Sequence, residues 1–209
     1  MKVFASCNDK YFLEHGEAFY TSALQCGYTP MIEVVNPCKD CFDLSEYIDN
    51  VWFSYLDNPT PADLCSQRFH SVSSLDISEG VLIADIDAYF RSLIPTPKEE
   101  VGLFFRPECE EHMQVLASLV WLSGSRNSIE FIKEVSRIIH TLPSKWFVDQ
   151  IALIKAANCF SDRIDFFRFN QTHTDWEYGE NSYTWHGKGP RKHENLTYLK
   201  NKKLYERIS

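Results

Sequence analysis

The sequence has no apolar run approaching the ~18 residues a membrane-spanning helix needs. It also has no excess of positive charge: 29 Asp and Glu against 21 Lys and Arg leave a formal net charge of −8. A general nucleic-acid binder displaces counterions with a basic surface, so this balance argues against one. Internal repeats, low-complexity tracts and linkers are missing too, which argues for one folded α/β domain. The opening stretch Met1-Lys2-Val3-Phe4-Ala5-Ser6-Cys7 is too short in apolar residues for a secretory signal. Without export, the odd set of seven cysteines reads as reduced thiols, and the expected location is cytoplasmic. The sequons Asn170-Gln171-Thr172 and Asn195-Leu196-Thr197 then read as chance matches.

What is present suffices for a core, since 44% of the 209 residues are hydrophobic and 14% aromatic. The charge is unevenly spread. From His186 to Ser209 seven Lys and Arg face only Glu194 and Glu206, a local excess of five positive charges.

Periodicity predicts the order of elements. Lys2 to Ser6 reads as a buried strand, followed by a helix from about Phe12 to Cys26. That helix carries Phe12, His15, Gly16, Phe19, Ala23 and Cys26 on one face, with Gly27 as its C-cap. Met31 to Val35 reads as a second strand, and this strand–helix–strand order implies a parallel sheet covered by helices. A helix is expected from Pro61, with Thr60 as N-cap and Asp63 in its first turn. It feeds the apolar strand Gly80-Val81-Leu82-Ile83-Ala84, which is read as continuing into Asp85. Further strands are expected at Val101–Arg106, Leu116–Leu122, Ile164–Phe169 and Ser182–His186. Helices are expected from an Asn127 or Ser128 cap and from about Trp146 to Ala157. The aromatic residues Tyr47, Trp52, Phe53 and Tyr55 read as core.

Two motifs about a hundred residues apart carry the chemistry. Asp85-Ile86-Asp87 puts two carboxylates at i and i+2, which an extended strand would present on one face. Crowded acids repel unless a cation lies between them, and a histidine from elsewhere can complete its coordination. The second motif, His186-Gly187-Lys188-Gly189-Pro190-Arg191-Lys192, offers that histidine, followed by glycines and bases suited to a phosphate. Cys38-Lys39-Asp40-Cys41 invites a zinc reading. A structural zinc site needs four ligands, and Cys65 and His70 supply no second matched pair, so two free thiols in a loop are expected.

The spacing His186-x-x-Gly189-x-x-Lys192, together with Asp85-x-Asp87, resembles the signatures of family 8 glycosyltransferases, enzymes of the GT-A fold. The resemblance implies a mixed, mostly parallel sheet flanked by helices. It implies one catalytic domain over residues 1–209, whose basic segment 186–209 closes over the donor. Asp85, Asp87 and His186 would then hold Mn²⁺ or Mg²⁺, and Gly187, Gly189 and Lys192 the donor's diphosphate. Asn8, Asp9 and Tyr11 would meet the nucleobase and ribose, Ile86 would lie in the donor site, and Arg68 would reach the donor. Asp149 and Gln150 would line the sugar and acceptor side, with Lys192 assisting departure of the phosphate. The activity implied is metal-dependent transfer of a sugar from a nucleotide sugar, by family habit a UDP-sugar, with retention at the anomeric carbon. The acceptor could be a carbohydrate, a protein or a lipid-linked molecule. The tail from Lys200 to Arg207 suits either an anionic membrane surface or a flap over the phosphates.

The sequence departs from the family in three places. His193-Glu194 follows Lys192 where the family has Pro-Trp. Ile151 and Ile154 stand where it has an acid and an Asn. Its Asn-x-Gly segment is not evident around Ala117-Ser118-Leu119. A metal-dependent phosphohydrolase or nucleotidyltransferase, and a nucleotide-binding domain without turnover, therefore remain alternatives.

Overall fold

The computed structural model describes residues 1–187, 189 and 191–206, with the side chain of Arg191 excepted. Lys188, Pro190 and Arg207 of the basic segment thus lie outside the described residues, as do Ile208 and Ser209. The chain groups into two compact units. A terminal unit gathers Lys2–Tyr55, Asp85–Pro95 and Asn170–Ser209, and a middle unit gathers Leu56–Ala84 and Thr96–Phe169.

The terminal unit starts with strand β1 (Lys2–Asn8), helix α1 (Asp9–Gln25) and strand β2 (Thr29–Val35). Five successive β1 residues are buried, the continuous apolar pattern of a strand covered on both faces. β1 and β2 are parallel, with Ala5 opposite Ile32, as the strand–helix–strand spacing implies. Asn8 caps α1 by accepting the Tyr11 N–H at 3.0 Å, and Gly27 leaves the helix at φ +85°. Phe12, Phe19 and Ala23 of α1 are fully buried. Emptying such a site, for example Phe19→Ala, costs about 3–5 kcal/mol.

A short helix α2 (Lys39–Ser45) leads to strand β3 (Val51–Ser54), parallel to β2, in the segment whose aromatic residues are expected in the core. Trp52 does stack on Phe4, at 5.4 Å between ring centroids. Tyr47 and Tyr55, however, are 65% and 72% exposed, because Tyr55 follows this four-residue strand and Tyr47 lies in the turn after α2.

The middle unit opens with α3 (Pro61–Ser74), started by Pro61 and a reciprocal Thr60–Asp63 capping box. Strand β4 (Val81–Ala84) follows and ends one residue before Asp85. The chain then passes through β5 (Ala88–Phe90) of the terminal unit and returns in β6 (Val101–Phe105) and β7 (Val115–Leu122). β7 lies antiparallel to both β4 and β6. Helix α4 (Arg126–Thr141) is capped by Ser125, two or three residues ahead of the expected Asn127 or Ser128. The Ser125 hydroxyl takes the Ser128 N–H, leaving Ser128 inside the first turn. Helix α5 (Val148–Cys159) starts two residues later than expected, because Phe147 turns left-handed at φ 71°. Strand β8 (Phe166–Arg168) pairs parallel with β6.

The terminal unit closes with β9 (Thr184–His186), α6 (Arg191–Glu194) and α7 (Leu196–Lys202). β9 is antiparallel to β5, with Ala88 opposite His186, Tyr89 opposite Trp185 and Phe90 opposite Thr184. Both units are α/β with mixed strand pairing, parallel at β1–β2, β2–β3 and β6–β8 and antiparallel at β4–β7, β6–β7 and β5–β9, and helices flank the strands. Among the described residues no helix is long and apolar enough to cross a membrane.

Candidate metal and diphosphate site

The two acids are brought together by a turn, which corrects the expectation of a strand face. After Ala84 the chain reverses, with the Ala88 N–H donating to the Asp85 carbonyl at 3.1 Å. Asp85 and Asp87 flank the buried Ile86 in that turn. The β5–β9 register then sets His186 beside them, since pairing Ala88 with His186 leaves Asp87 next to Gly187. The Gly187 N–H donates to the Asp87 carbonyl at 3.0 Å, and the Tyr198 hydroxyl donates to the same oxygen at 2.7 Å. Asp87 is therefore fixed through its backbone carbonyl.

One ligand atom each from Asp85, Asp87 and His186 lies within 4.8 Å of the other two. Among the described residues this is the one group of three or more acids, histidines or cysteines so arranged, and Cys38 and Cys41 belong to no such group. His186 Nδ1 approaches Asp85 Oδ2 at 3.8 Å. Two carboxylate oxygens and an imidazole nitrogen form a donor set that fits a Mn²⁺ or Mg²⁺ ion.

Lys192 stands over this group. Its Nζ donates to Asp87 Oδ2 at 2.9 Å and to the Tyr11 hydroxyl at 3.0 Å, and lies 4.3 Å from the centre of the Tyr11 ring. Burial works against the ammonium, but the Asp87 carboxylate and the Tyr11 oxygen outweigh it and raise the Lys192 pKa. The lysine is thus charged throughout the physiological range. Gly187 permits this crowding: a Cβ there would fall 2.8 Å from the Tyr198 hydroxyl and 3.0 Å from Lys192 Cβ. Gly189 is exposed and turns at φ +54°.

Beneath Tyr11 lies His15, 3% exposed and tilted against the Tyr11 ring at 5.6 Å. Burial, reinforced by Lys202, Lys192 and His193, lowers its pKa to about 3. The 3.4 Å approach of Glu14 is therefore no ion pair at neutral pH.

Two supports of the site went unread in the sequence. Asp175 is buried and collects the N–H groups of Glu177 and Gly179, each at 2.7 Å, and the Ser182 hydroxyl. Its own backbone bonds both ends of β9, through Thr184 and His186. Tyr198 packs with Tyr89, Tyr178 and Trp185 in an aromatic cluster behind the turn. The start signal of α7 was legible, because Asn195 caps it by accepting the Tyr198 N–H. No local signal told that Tyr198 would reach Asp87.

The side-chain oxygen of Asn8 is engaged in capping α1, and the carboxylate of Asp9 takes the Lys10 N–H. Arg68, Asp149 and Gln150 belong to the middle unit. Arg68 donates to Asp149 Oδ2 at 3.2 Å, and both side chains are more than nine-tenths buried. Among the described residues the buried Oε1 of Gln150 has no hydrogen-bond partner. In the tail, Lys202 is paired with Glu206 at 2.6 Å.

No protein-family description matches the sequence, and no curated protein matches it. Its fold does match solved structures. A galactosyltransferase, LgtC, in complex with donor and acceptor sugar analogues superposes with a TM-score of 0.65 at 11% identity, over 98% of this chain and 95% of that one. The apo-form glycosyltransferase GlyE of Streptococcus pneumoniae TIGR4 gives 0.63 at 10% identity, over 96% of this chain and 59% of that one. The bifunctional glycosyltransferase WbbM gives 0.62 at 12% identity, over 90% of this chain. The chain spans about half the length of WbbM, 46%. At such identities the likeness is one of fold. The chain has the GT-A-like fold of glycosyltransferases, with a D-x-D-like acid pair in place.

Proposed function

We propose that the chain is a metal-dependent glycosyltransferase that takes its sugar from a UDP-sugar and transfers it with retention of anomeric configuration. The observation that supports this reading is the convergence of Asp85, Asp87 and His186 within 4.8 Å, beneath a lysine ammonium. Cleaving a sugar–diphosphate bond builds negative charge on the departing phosphate, and rate is gained by stabilising charge where it develops. A divalent cation held by the three side chains supplies Lewis-acid stabilisation there, and the imidazole tilts the preference towards Mn²⁺.

The chain's own groups do the rest. Lys192, permanently charged, turns from Asp87 to a β-phosphate oxygen. Gly187 and Gly189 let the backbone come close to the phosphates. Asn8, Asp9 and Tyr11 meet the nucleoside, and Ile86 closes the donor pocket between the acids. Arg68 reaches the donor, and Asp149 and Gln150 serve the transferred sugar and its acceptor. In a retaining transfer the leaving phosphate assists the acceptor on the same face, so no separate carboxylate base is required.

Incubating the protein with nucleotide sugars and Mn²⁺ tests the reading. Release of UDP is expected, abolished in Asp87→Asn. Release of UMP instead would identify a phosphohydrolase. The acceptor side, where Ile151 and Ile154 replace polar residues of the resembling family, supports one second reading, a nucleotide-binding domain without turnover. Mn²⁺-dependent UDP binding with no transfer to any acceptor would establish that reading.

A further inference from the structure

Two thiols outside this site face each other. The Sγ atoms of Cys38 and Cys41 lie 3.6 Å apart, in contact but unbonded, and Cys41 also donates to the Asp9 carbonyl at 3.8 Å. Cys38 is partly exposed, with extended backbone (φ −86°, ψ 175°) just ahead of α2, so the helix does not fix its side chain. Cys41 is fully buried one helical turn on, and Cys7 lies buried in β1 immediately before Asn8. The pair combines an accessible sulfur with a shielded sulfur already in contact, and among the described residues no third ligand joins them for a metal.

We propose that Cys38 and Cys41 are a reversible thiol–disulfide site, oxidised by a small disulfide such as glutathione disulfide, and that its state resets the Asn8–Asp9 segment. The Cys38 thiolate attacks one sulfur of glutathione disulfide, forming a mixed disulfide and releasing one glutathione, which takes up a proton. Cys41 then gives up its proton, and its sulfur attacks that of Cys38. The Cys38–Cys41 bond of about 2.05 Å forms as the second glutathione leaves. Two protein thiols are oxidised and one glutathione disulfide is reduced to two glutathiones. Burial pushes the Cys41 thiol up, so the first attack falls to Cys38. Once bonded, Cys41 has no S–H to give the Asp9 carbonyl. That carbonyl opens α1, whose first turn carries Tyr11, the partner of Lys192. The consequence for nucleotide binding rests on the function proposed above, whereas formation of the disulfide does not.

Equilibration of the full chain in glutathione redox buffers, acid trapping and peptide mass mapping tests the pair. The expected product is a Cys38–Cys41 crosslink, lighter by two hydrogens and reversed by dithiothreitol. Cys41→Ser should instead retain glutathione on Cys38, and Cys38→Ser should stay unmodified at Cys41, with circular dichroism showing both variants folded. Glutathione persisting on Cys38 of the parent protein, or reaction confined to the exposed Cys159, would overturn the pairing. Calorimetry with UDP and Mn²⁺ reads the coupling: affinity several-fold weaker in the oxidised form supports it, and equal affinity overturns it. UDP that binds neither form counts against the proposed function, and the mapping then decides the thiol pair alone.

Discussion

The ammonium of Lys192 lies 2.9 Å from Asp87 Oδ2 and is held there by the hydroxyl of Tyr11. A lysine thus neutralises the acid that, under the proposed function, a divalent cation would share. If the proposed function holds, cation and lysine compete for one carboxylate, and a bound diphosphate would give the displaced ammonium a new partner. Metal and nucleotide should therefore bind with mutual reinforcement.

Lys192→Met tests this competition. Without nucleotide, Mn²⁺ should bind the variant more tightly than the parent, because the rival cation is gone. UDP affinity in the presence of Mn²⁺ should fall tenfold or more, since a charge-assisted hydrogen bond contributes about 1.5–3 kcal/mol. Titration of free Mn²⁺ by electron paramagnetic resonance, with and without UDP, reads both effects.

Gly187→Ala probes the crowding beside the turn. The added methyl group would press on the Tyr198 hydroxyl and the stem of Lys192, at 2.8 and 3.0 Å. A loss of about 1–3 kcal/mol is expected from such overpacking, seen as a lower melting temperature, with a matching loss of UDP affinity. An unchanged melting temperature would show that β9 and α7 give way freely.

In the middle unit, Arg68→Met removes the cationic partner of a carboxylate that is 6% exposed. Breaking such a pair costs about 3–5 kcal/mol. Adding Asp149→Asn should restore part of the loss, because the neutral amide is cheaper to bury. Denaturant unfolding of the single and double variants checks the sign of this coupling.

Asp175 should make the terminal unit acid-sensitive. Burial alone would raise its pKa, but the Ser182 hydroxyl, the Glu177 and Gly179 N–H groups and the Gln171 amide outweigh burial and lower it. A carboxyl whose folded pKa lies below its unfolded value near 3.9 stabilises the fold fully above that value. The contribution is lost as pH falls through the folded pKa. Thermal melts from neutral pH down to about pH 2 should show a steep acid limb, flatter in Asp175→Asn.

Much of this was legible in the sequence. The continuous apolar run of β1, the amphipathic face of α1 and the Thr60-Pro61-x-Asp63 start of α3 each carry their own local signal. The acids and His186 could be singled out because those residue types at those spacings share one chemistry. What local pattern could not give was the route by which they meet. Asp85 and Asp87 sit in a turn, and a three-residue β5–β9 pairing brings His186 to them, too short to leave a periodicity. Tyr198 and Asp175 act through contacts distant in sequence or specific to one loop, so they read as ordinary residues of helix and loop. The exposed Tyr47 and Tyr55 misled because aromatic composition implies burial, while Tyr55 follows the short β3 and Tyr47 lies in the turn after α2.

The most direct measurement is anomalous scattering at the manganese edge from crystals grown with Mn²⁺ and UDP. A single peak at coordination distance from Asp85, Asp87 and His186, with Lys192 moved from Asp87 to the diphosphate, is the expected result. A peak elsewhere, or none while UDP is bound, would contradict the shared-cation site.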